Sequence, residues 1–290
     1  MAAIKVFYPA YFYAVLLQMN ADSAQKKMMI VQEAQYFHLI FDFPNVNVSS
    51  STYLVHENHL IIGLSEIATF KSTMALQIVE ERKKGLYLDI YDFMIRMIKF
   101  NLSMAQFEAL VYSGALDCFL IKREILIANQ QQLFDYGQMF KDLPYQVHDY
   151  KSYDYLPIPI LKKQELEIDW IGKEKEYLGF YLSIHPIKKI KEKMSFPIVD
   201  IQAIQGKPTT IYLLGQIVKL DLRKNKAGKD MLTLQLEDDT AMTTLYAFQS
   251  QALEYRNQFV KKDIVVIQAQ VQSKTFIVIQ QIKKIGGNES

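Results

Sequence analysis

The sequence predicts a multi-domain chain of mixed class, helical through its longer N-terminal part and strand-rich at its C-terminal end. Three observations carry this. Apolar residues recur at helical spacing through most of the chain before residue 190. From Thr210 onward five segments alternate apolar and polar residues, the period of half-buried strands. Between the two regimes, "LPYQVHDYKSYDYLPIPIL" carries three prolines and a cluster of tyrosines with no steady period, which reads as a surface-bound linker.

Length and composition agree. At 290 residues the chain has room for two or three modest domains. Half of it is apolar and 22% charged, a globular balance. Its 33 basic and 31 acidic residues leave a net charge of +2, so local charge has to decide about polyanionic partners. One cysteine, Cys118, excludes an internal disulfide and fits a reducing compartment. The apolar run "VFYPAYFYAVLLQM" is broken by Pro9 and lacks a basic leader, so it reads as a folded helix, neither signal nor span. We expect a cytoplasmic protein with no membrane partner, and a fragment of something longer.

In order, helices are expected over Tyr11–Met19 and Ser23–Phe37, with Asp22 or Ser23 as N-cap. "HLIFDFPNVNVSS" reads as extended and "YLVHENHLIIGL" as a hairpin around His56-Glu57-Asn58. "STMALQIVEERKKG", "LDIYDFMIRMIKF" and "SMAQFEALVYSGALDCF" are helical, and "IKREILIANQQQLFDYGQMFKDL" is expected as one longer helix or a helix with a tail. A further helix is expected from Gln164 to Leu182, then a basic exit, "HPIKKIKEKMSFP".

The five strand segments are "IYLLGQIVKLDL", "MLTLQLED", "MTTLYAF", "DIVVIQAQV" and "TFIVIQQIKKI", with helical "SQALEYRNQF" after the third. Five short strands with one inserted helix are the pattern of an OB-type barrel. Such barrels bind single strands with cations for phosphate and aromatic faces for bases. The loop "LRKNKAGKD" offers Arg223, Lys224, Lys226 and Lys229; Tyr246, Phe248 and Phe276 are the stacking candidates. The competing reading is a solvated basic hairpin over core aromatics. Tyr246 and Phe248 share a face by alternation, and core is expected to claim at least one.

Elsewhere the sequence offers little chemistry. "LEDDTA" reads as a polar turn rather than a metal site, because carboxylates for phosphoryl transfer must converge on a cleft. His56 and His59 lack partners at zinc spacing, and His185 ends a helix before Pro186. No phosphate-cradling glycine loop or nucleophile elbow occurs. No catalytic residue and no cofactor is therefore expected in this chain.

Two stretches, "GLSEIATFKSTMALQIVEER" and "FEALVYSGALD", read as helical hairpins of related design. Hairpins of this kind can grip duplex phosphate through backbone amides, which requires glycine at the turn. The second has Gly114; the first has Thr69 and Lys71 instead, leaving Lys71 to supply charge. Finally, "QQQLF" matches the Gln-x-x-Leu-Phe pattern that docks on sliding clamps, through Gln130, Leu133 and Phe134. Leu126, Leu133, Phe134 and Phe140 equally form one stripe of an amphipathic helix.

Taken together, these motifs resemble the C-terminal part of the C-family replicative polymerases, the bacterial DNA polymerase III alpha subunits. "IKVFYPAYFYAVLL" resembles that family's Lys-x-x-Tyr-Pro helix leading from the fingers. "PNVNVSS" resembles its Pro-Asp-Val-Asn-x-Ser segment, with Asn45 for Asp. "ALQIVEER" and "FEALVYSGALD" resemble its tandem helix-hairpin-helix region, and "EKEYLGFYLSIHP" the signature before its OB domain. "MLTLQLEDDTAMTTLYAF" resembles the OB segment, with Ala241 for the usual Gly.

The resemblance implies a fold of helical fingers end and tandem helix-hairpin-helix region followed by a five-stranded OB-type barrel. The implied domains are 1–63, 64–142, 143–208 as linker and connecting helices, and 209–290. It also implies a non-catalytic segment that grips duplex DNA and guides single-stranded template during replication. The palm aspartates and their Mg2+ would lie elsewhere in the parent nucleotidyltransferase. Implied partners are DNA, a sliding clamp and other replisome subunits. The alternative is a protein-interaction module that binds the clamp and neighbouring subunits without touching DNA.

Overall fold

The computed structural model describes residues 2–20, 23–70, 72–143, 150–152, 156–164, 166–183, 186–225 and 227–285. The chain forms two compact units, Met1–Ser183 and Ile184–Ser290. Asp22, Lys71, His185, Lys226 and the tail 286–290 lie outside the described residues.

The first unit opens with helices α1 (Ala2–Phe7), α2 (Pro9–Met19) and α3 (Ala24–Tyr36). Pro9 begins α2, where its missing N–H costs nothing, and the Ser23 hydroxyl caps α3 by accepting from Lys26 N–H. Strands β1 (Ile40–Asp42), β2 (Leu54–His56) and β3 (His59–Ile61) make a small sheet in the order β1-β3-β2. The β2–β3 hairpin turns at Glu57, as its sequence indicates; the parallel pairing of β1 with β3 is not visible in local pattern.

"PNVNVSS" is extended only in part. Asn45 Oδ1 accepts the Asn47 N–H at 2.8 Å, folding a local turn. From that turn Val46 N–H reaches Ala115 O, and Asn47 bonds both backbone groups of Tyr87 at 2.8 Å. The segment is a knot joining distant elements, which explains its run of short polar side chains.

Next come α4 (Ser72–Glu81), α5 (Ile90–Ile98) and α6 (Met104–Tyr112). Asp89 caps α5, and a reciprocal Ser103–Gln106 box caps α6. Arg96 of α5 is buried, and its charge is met by Glu81 and Asp92, the carbonyls of Gly85 and Glu81, and the Tyr87 ring at 4.2 Å. A buried cation this fully partnered rigidifies the α4–α5 junction.

The expected long helix is instead two, α7 (Arg123–Ala128) and α8 (Gln130–Met139), broken at Asn129. The reason lies in the linker. Asn129 Nδ2 donates to Lys162 O at 2.8 Å while its Oδ1 accepts Lys162 N–H at 2.9 Å. One side chain thereby pins both backbone groups of Lys162, as a β-neighbour would. Tyr150 is buried beside Tyr91, Tyr136 and Phe140, its hydroxyl given to Asp89. Tyr150 thus anchors the linker to the helices.

Helix α9 (Trp170–Leu178) is shorter than expected: Asp169 caps its start and left-handed Gly179 (φ 87°) ends it. The charged opening of "EKEYLGFYLSIHP" now has a role. Buried Glu174 accepts from Leu182 N–H, from Ser183 N–H at 2.7 Å and from Ser183 Oγ at 2.5 Å, folding the chain back on α9. Phe180 packs edge-on to Phe41 at 5.8 Å.

The second unit begins with α10 (Pro186–Lys191), then β4 (Thr209–Lys224), β5 (Asp230–Glu237), β6 (Met242–Phe248), α11 (Gln249–Gln258), β7 (Ile264–Ser273) and β8 (Phe276–Lys284). The strands close into a barrel in the order β4-β5-β6-β8-β7, with β6 and β8 parallel and a helix between the third and fourth strands. That is OB topology. Leucine, isoleucine, valine and alanine fill its interior, and Ala252, Tyr255 and Phe259 of and beside α11 pack onto that core.

Candidate nucleic-acid interface

Strand register fixes what the barrel shows to solvent. Leu245 and Ala247 point inward, so Tyr246 and Phe248 stand outside, each half-buried. The expectation that the core claims one of them is therefore corrected: alternation sends both out together. Phe276, at the start of β8, lies 5.3 Å from Tyr246 and 6.3 Å from Phe248 between ring centroids. The three rings form one exterior cluster.

Across β5 the same face continues. Phe248 pairs with Met231 and Met231 with Arg223; Tyr246 pairs with Thr233 and Thr233 with Asp221; Thr244 pairs with Gln235 and Gln235 with Lys219. Aromatic rings on β6 and β8 thus face charged residues on β4 across Met231, Thr233 and Gln235 of β5. Lys219 is the member that sequence reading missed. Counting two residues back from Asp221, itself two back from Arg223, would have placed it there.

The β4–β5 loop is a built turn. Asn225 Oδ1 accepts from Ala227 and Lys229 N–H, both at 3.0 Å, and Gly228 takes φ 73°. Nothing lies within 4 Å of where a Gly228 Cβ would stand, so the turn opens outward. Arg223, Lys224 and Lys229 are exposed. Asp221 bonds Lys219 at 2.6 Å and Arg223 at 3.0 Å, which together hold its carboxyl below the usual range. That carboxylate tempers the local positive charge and orients both cations.

The helical hairpins look different. Gly114 takes φ 82° just after α6; its N–H donates to Val111 O and that of Ala115 to Leu110 O, closing the helix end. A Cβ there would come within 2.4 Å of Arg123 Nη2, which is salt-bridged to Asp117. The backbone at Gly114 is thus already hydrogen-bonded within its own turn. In the first hairpin, Thr69 adopts φ 65° without glycine, and Ala68 N–H is held by Tyr177 O at 2.7 Å. Lys71 falls outside the described residues.

In "QQQLF", Leu133 is fully buried and Phe134 8% exposed, edge-on to Phe107 at 5.8 Å. Gln130 Oε1 is buried as well. The stripe faces α5 and α6, as the packing reading expects.

Asp200, Asp238 and Asp239 approach one another closely enough to hold a cation, but the Lys191 ammonium sits among them, bonded to Asp200 and, at 2.9 Å, to Asp239. Asp238 also accepts from Thr240, Ala241 and Ile201 N–H groups. "LEDDTA" is a structural turn, and these carboxylates do not suit a catalytic metal. Burial pushes the Cys118 thiol up to about 11, so it is inert. Among the described residues no helix is long and apolar enough to cross a membrane.

A helix-hairpin-helix region and a separate OB barrel define a DNA-binding class of architecture. A family model described as helix-hairpin-helix motif matches residues 40–126. Along 92% of its length the chain is related to DNA polymerase III alpha subunits. It is 27% identical over 274 residues to that of Staphylococcus epidermidis (strain ATCC 35984), and 29% identical over 278 residues to that of Staphylococcus aureus (strain MRSA252). The chain spans about a quarter of the length of these relatives. Among solved structures it is similar to a small single-stranded DNA-binding protein from Streptomyces coelicolor (13% identity, 27% of this chain and 94% of that one, TM-score 0.22). It is also similar to RecG bound to a three-way DNA junction (14% identity, 75% and 31%, TM-score 0.24). Likenesses that slight carry no argument; the barrel rests on its strand order.

Proposed function

We propose that this chain is a C-terminal, non-catalytic DNA-handling part of a replicative polymerase of the DNA polymerase III alpha type, working in the cytoplasm. In this reading the barrel guides single-stranded template while the helix-hairpin-helix region holds duplex. One observation carries it: a single exterior face joins three aromatic rings to Arg223 and an open basic loop. Bases stack on Tyr246, Phe248 and Phe276, and phosphates lie against Arg223, Lys224, Lys226 and Lys229. On the duplex side Lys71 supplies charge and Gly114 shapes its turn. Nucleotide addition, with its Mg2+, belongs to other parts of the parent.

Stacking tests this reading. Tyr246→Ala and Phe248→Ala should each weaken binding to oligo-dT by about 1–3 kcal/mol, measured by fluorescence anisotropy. Both side chains are half-buried outside the barrel, so a thermal melt should show the fold retained. Unchanged affinity in both variants would remove the stacking face.

A second reading is a module that binds the clamp and other replisome subunits without DNA. An apolar stripe on and beside α2 favours it: Tyr8, Tyr11, Val15 and Met19 recur at helical spacing and are all exposed. Docking through Gln130, Leu133 and Phe134 would require α8 to leave its packing. Oligonucleotide binding separates the two readings.

A further inference from the structure

We propose a second phosphate-binding patch on the barrel, formed by Lys261 and Lys262 beside Lys219, that extends the single-strand track beyond the β4–β5 loop. It rests on the single-strand reading above and adds an end point to the path.

The patch lies in the turn between α11 and β7. Lys261 and Lys262 are both exposed, and among the described residues neither has an acidic partner within 4 Å. The turn is fixed rather than slack. Lys262 N–H donates to Ile217 O at 2.8 Å, Ile217 N–H to Asp263 O at 2.9 Å, and Gln216 Nε2 to Lys262 O at 3.2 Å. Asp263 N–H bonds Val260 O, and the Asp263 carboxylate takes the Val260 N–H at 3.0 Å and Lys284 at 2.6 Å.

Within this frame Lys262 holds φ 78°, a left-handed conformation that a lysine adopts only when its surroundings impose it. A strained, fully tethered turn carrying two adjacent unpaired cations is preorganised for an anion.

Its position gives the direction. The bonds to Ile217 lay the turn along β4 on the side away from β5, next to the bulge between Ile217 and Lys219. Lys219 follows on the outer face, and Arg223 lies four residues further, about 13 Å at strand rise. Cations therefore run from the loop tip, down β4, to the α11–β7 turn. A short oligonucleotide fills the loop and the aromatic face; only a longer one reaches Lys261 and Lys262.

Length dependence tests this on the whole chain. Oligo-dT of about 4 and about 16 nucleotides brackets the site sizes of one OB barrel. For Lys261→Gln/Lys262→Gln, the slope of log affinity against log salt should become shallower by roughly 0.7 × 2, about 1.4, on the long oligomer and stay unchanged on the short one. Lys261→Arg/Lys262→Arg, which keeps both charges, should keep the parent slope and so separates charge from folding. A Gln variant with the parent slope at both lengths, or shallower equally at both, overturns the patch. The underlying reading fails separately, if the parent chain binds neither length at low salt or if Arg223→Gln/Lys224→Gln/Lys229→Gln leaves both affinities unchanged.

Discussion

Thr69 and Leu120 show how single residues depart from what their backbone wants. Both occupy left-handed conformations, φ 65° and 57°, that favour glycine, and both are exposed; Leu120 is 94% so. The strain is stored with no burial to offset it. Leu120→Gly and Thr69→Gly should each raise stability by about 0.5–1 kcal/mol in urea unfolding, the relief of left-handed strain less the added freedom of the unfolded chain. A loss of stability in both would mean that the side chains make contacts the structure does not show. Lys191 gives a pH test at the same scale. Burial lowers its pKa, but bonds to Asp200 and Asp239 outweigh this and raise it above 10.5. A lysine raised on folding stabilises fully below its unfolded value and loses that contribution as pH climbs through the folded one. The stability gap between parent and Lys191→Met should therefore be constant at neutral pH and shrink above about pH 10.5. A gap that instead closes toward acid would contradict the assignment.

Among elements, the informative ones are those whose length the sequence misjudged. Helix periodicity continues straight through Asn129, and nothing local announces that its amide holds Lys162 33 residues away. In the same way the helical pattern near Gln164 overran the true start at Trp170, which the Asp169 cap sets. Asn129→Ala should cost about 1–2 kcal/mol and expose residues 156–164 to proteolysis; unaltered nicking there would show that Tyr150 and the bond from Tyr91 to Pro159 O hold the linker without it. Glu174→Ala should cost about 1–2 kcal/mol, since it removes the shared acceptor of two backbone donors and a hydroxyl that fold the chain back after α9. A change within about 0.5 kcal/mol would deny the carboxylate that role.

At the scale of the whole molecule, the switch from helical spacing to alternation was legible because it is a property of the chain itself, while the compact strand-rich unit begins earlier, at Ile184. Barrel topology was legible for the same reason: five alternating runs and one helix leave few ways to close. The interface was legible only in part. The basic loop could be read from its glycine and lysines, but the exterior placement of Tyr246, Phe248 and Phe276 depends on which face of β6 meets the core, and that is set by pairing with β5 and β8. Lys261 and Lys262 sit in a turn remote in sequence from β4, so only tertiary bonding brings them beside Lys219. Hairpin function was the least legible, since Gly114 and Ala68 turn their amides to partners within the unit rather than outward.

One titration weighs on the central claim more than any other: affinity of the full chain for oligo-dT of about 16 nucleotides across a range of salt. Four phosphate contacts at the β4–β5 loop predict a log-log slope of at least roughly −0.7 × 4, about −3. Replacing Arg223, Lys224, Lys226 and Lys229 with Gln should flatten it by about that amount. A slope near zero, or one that the quadruple replacement leaves unaltered, would contradict the account.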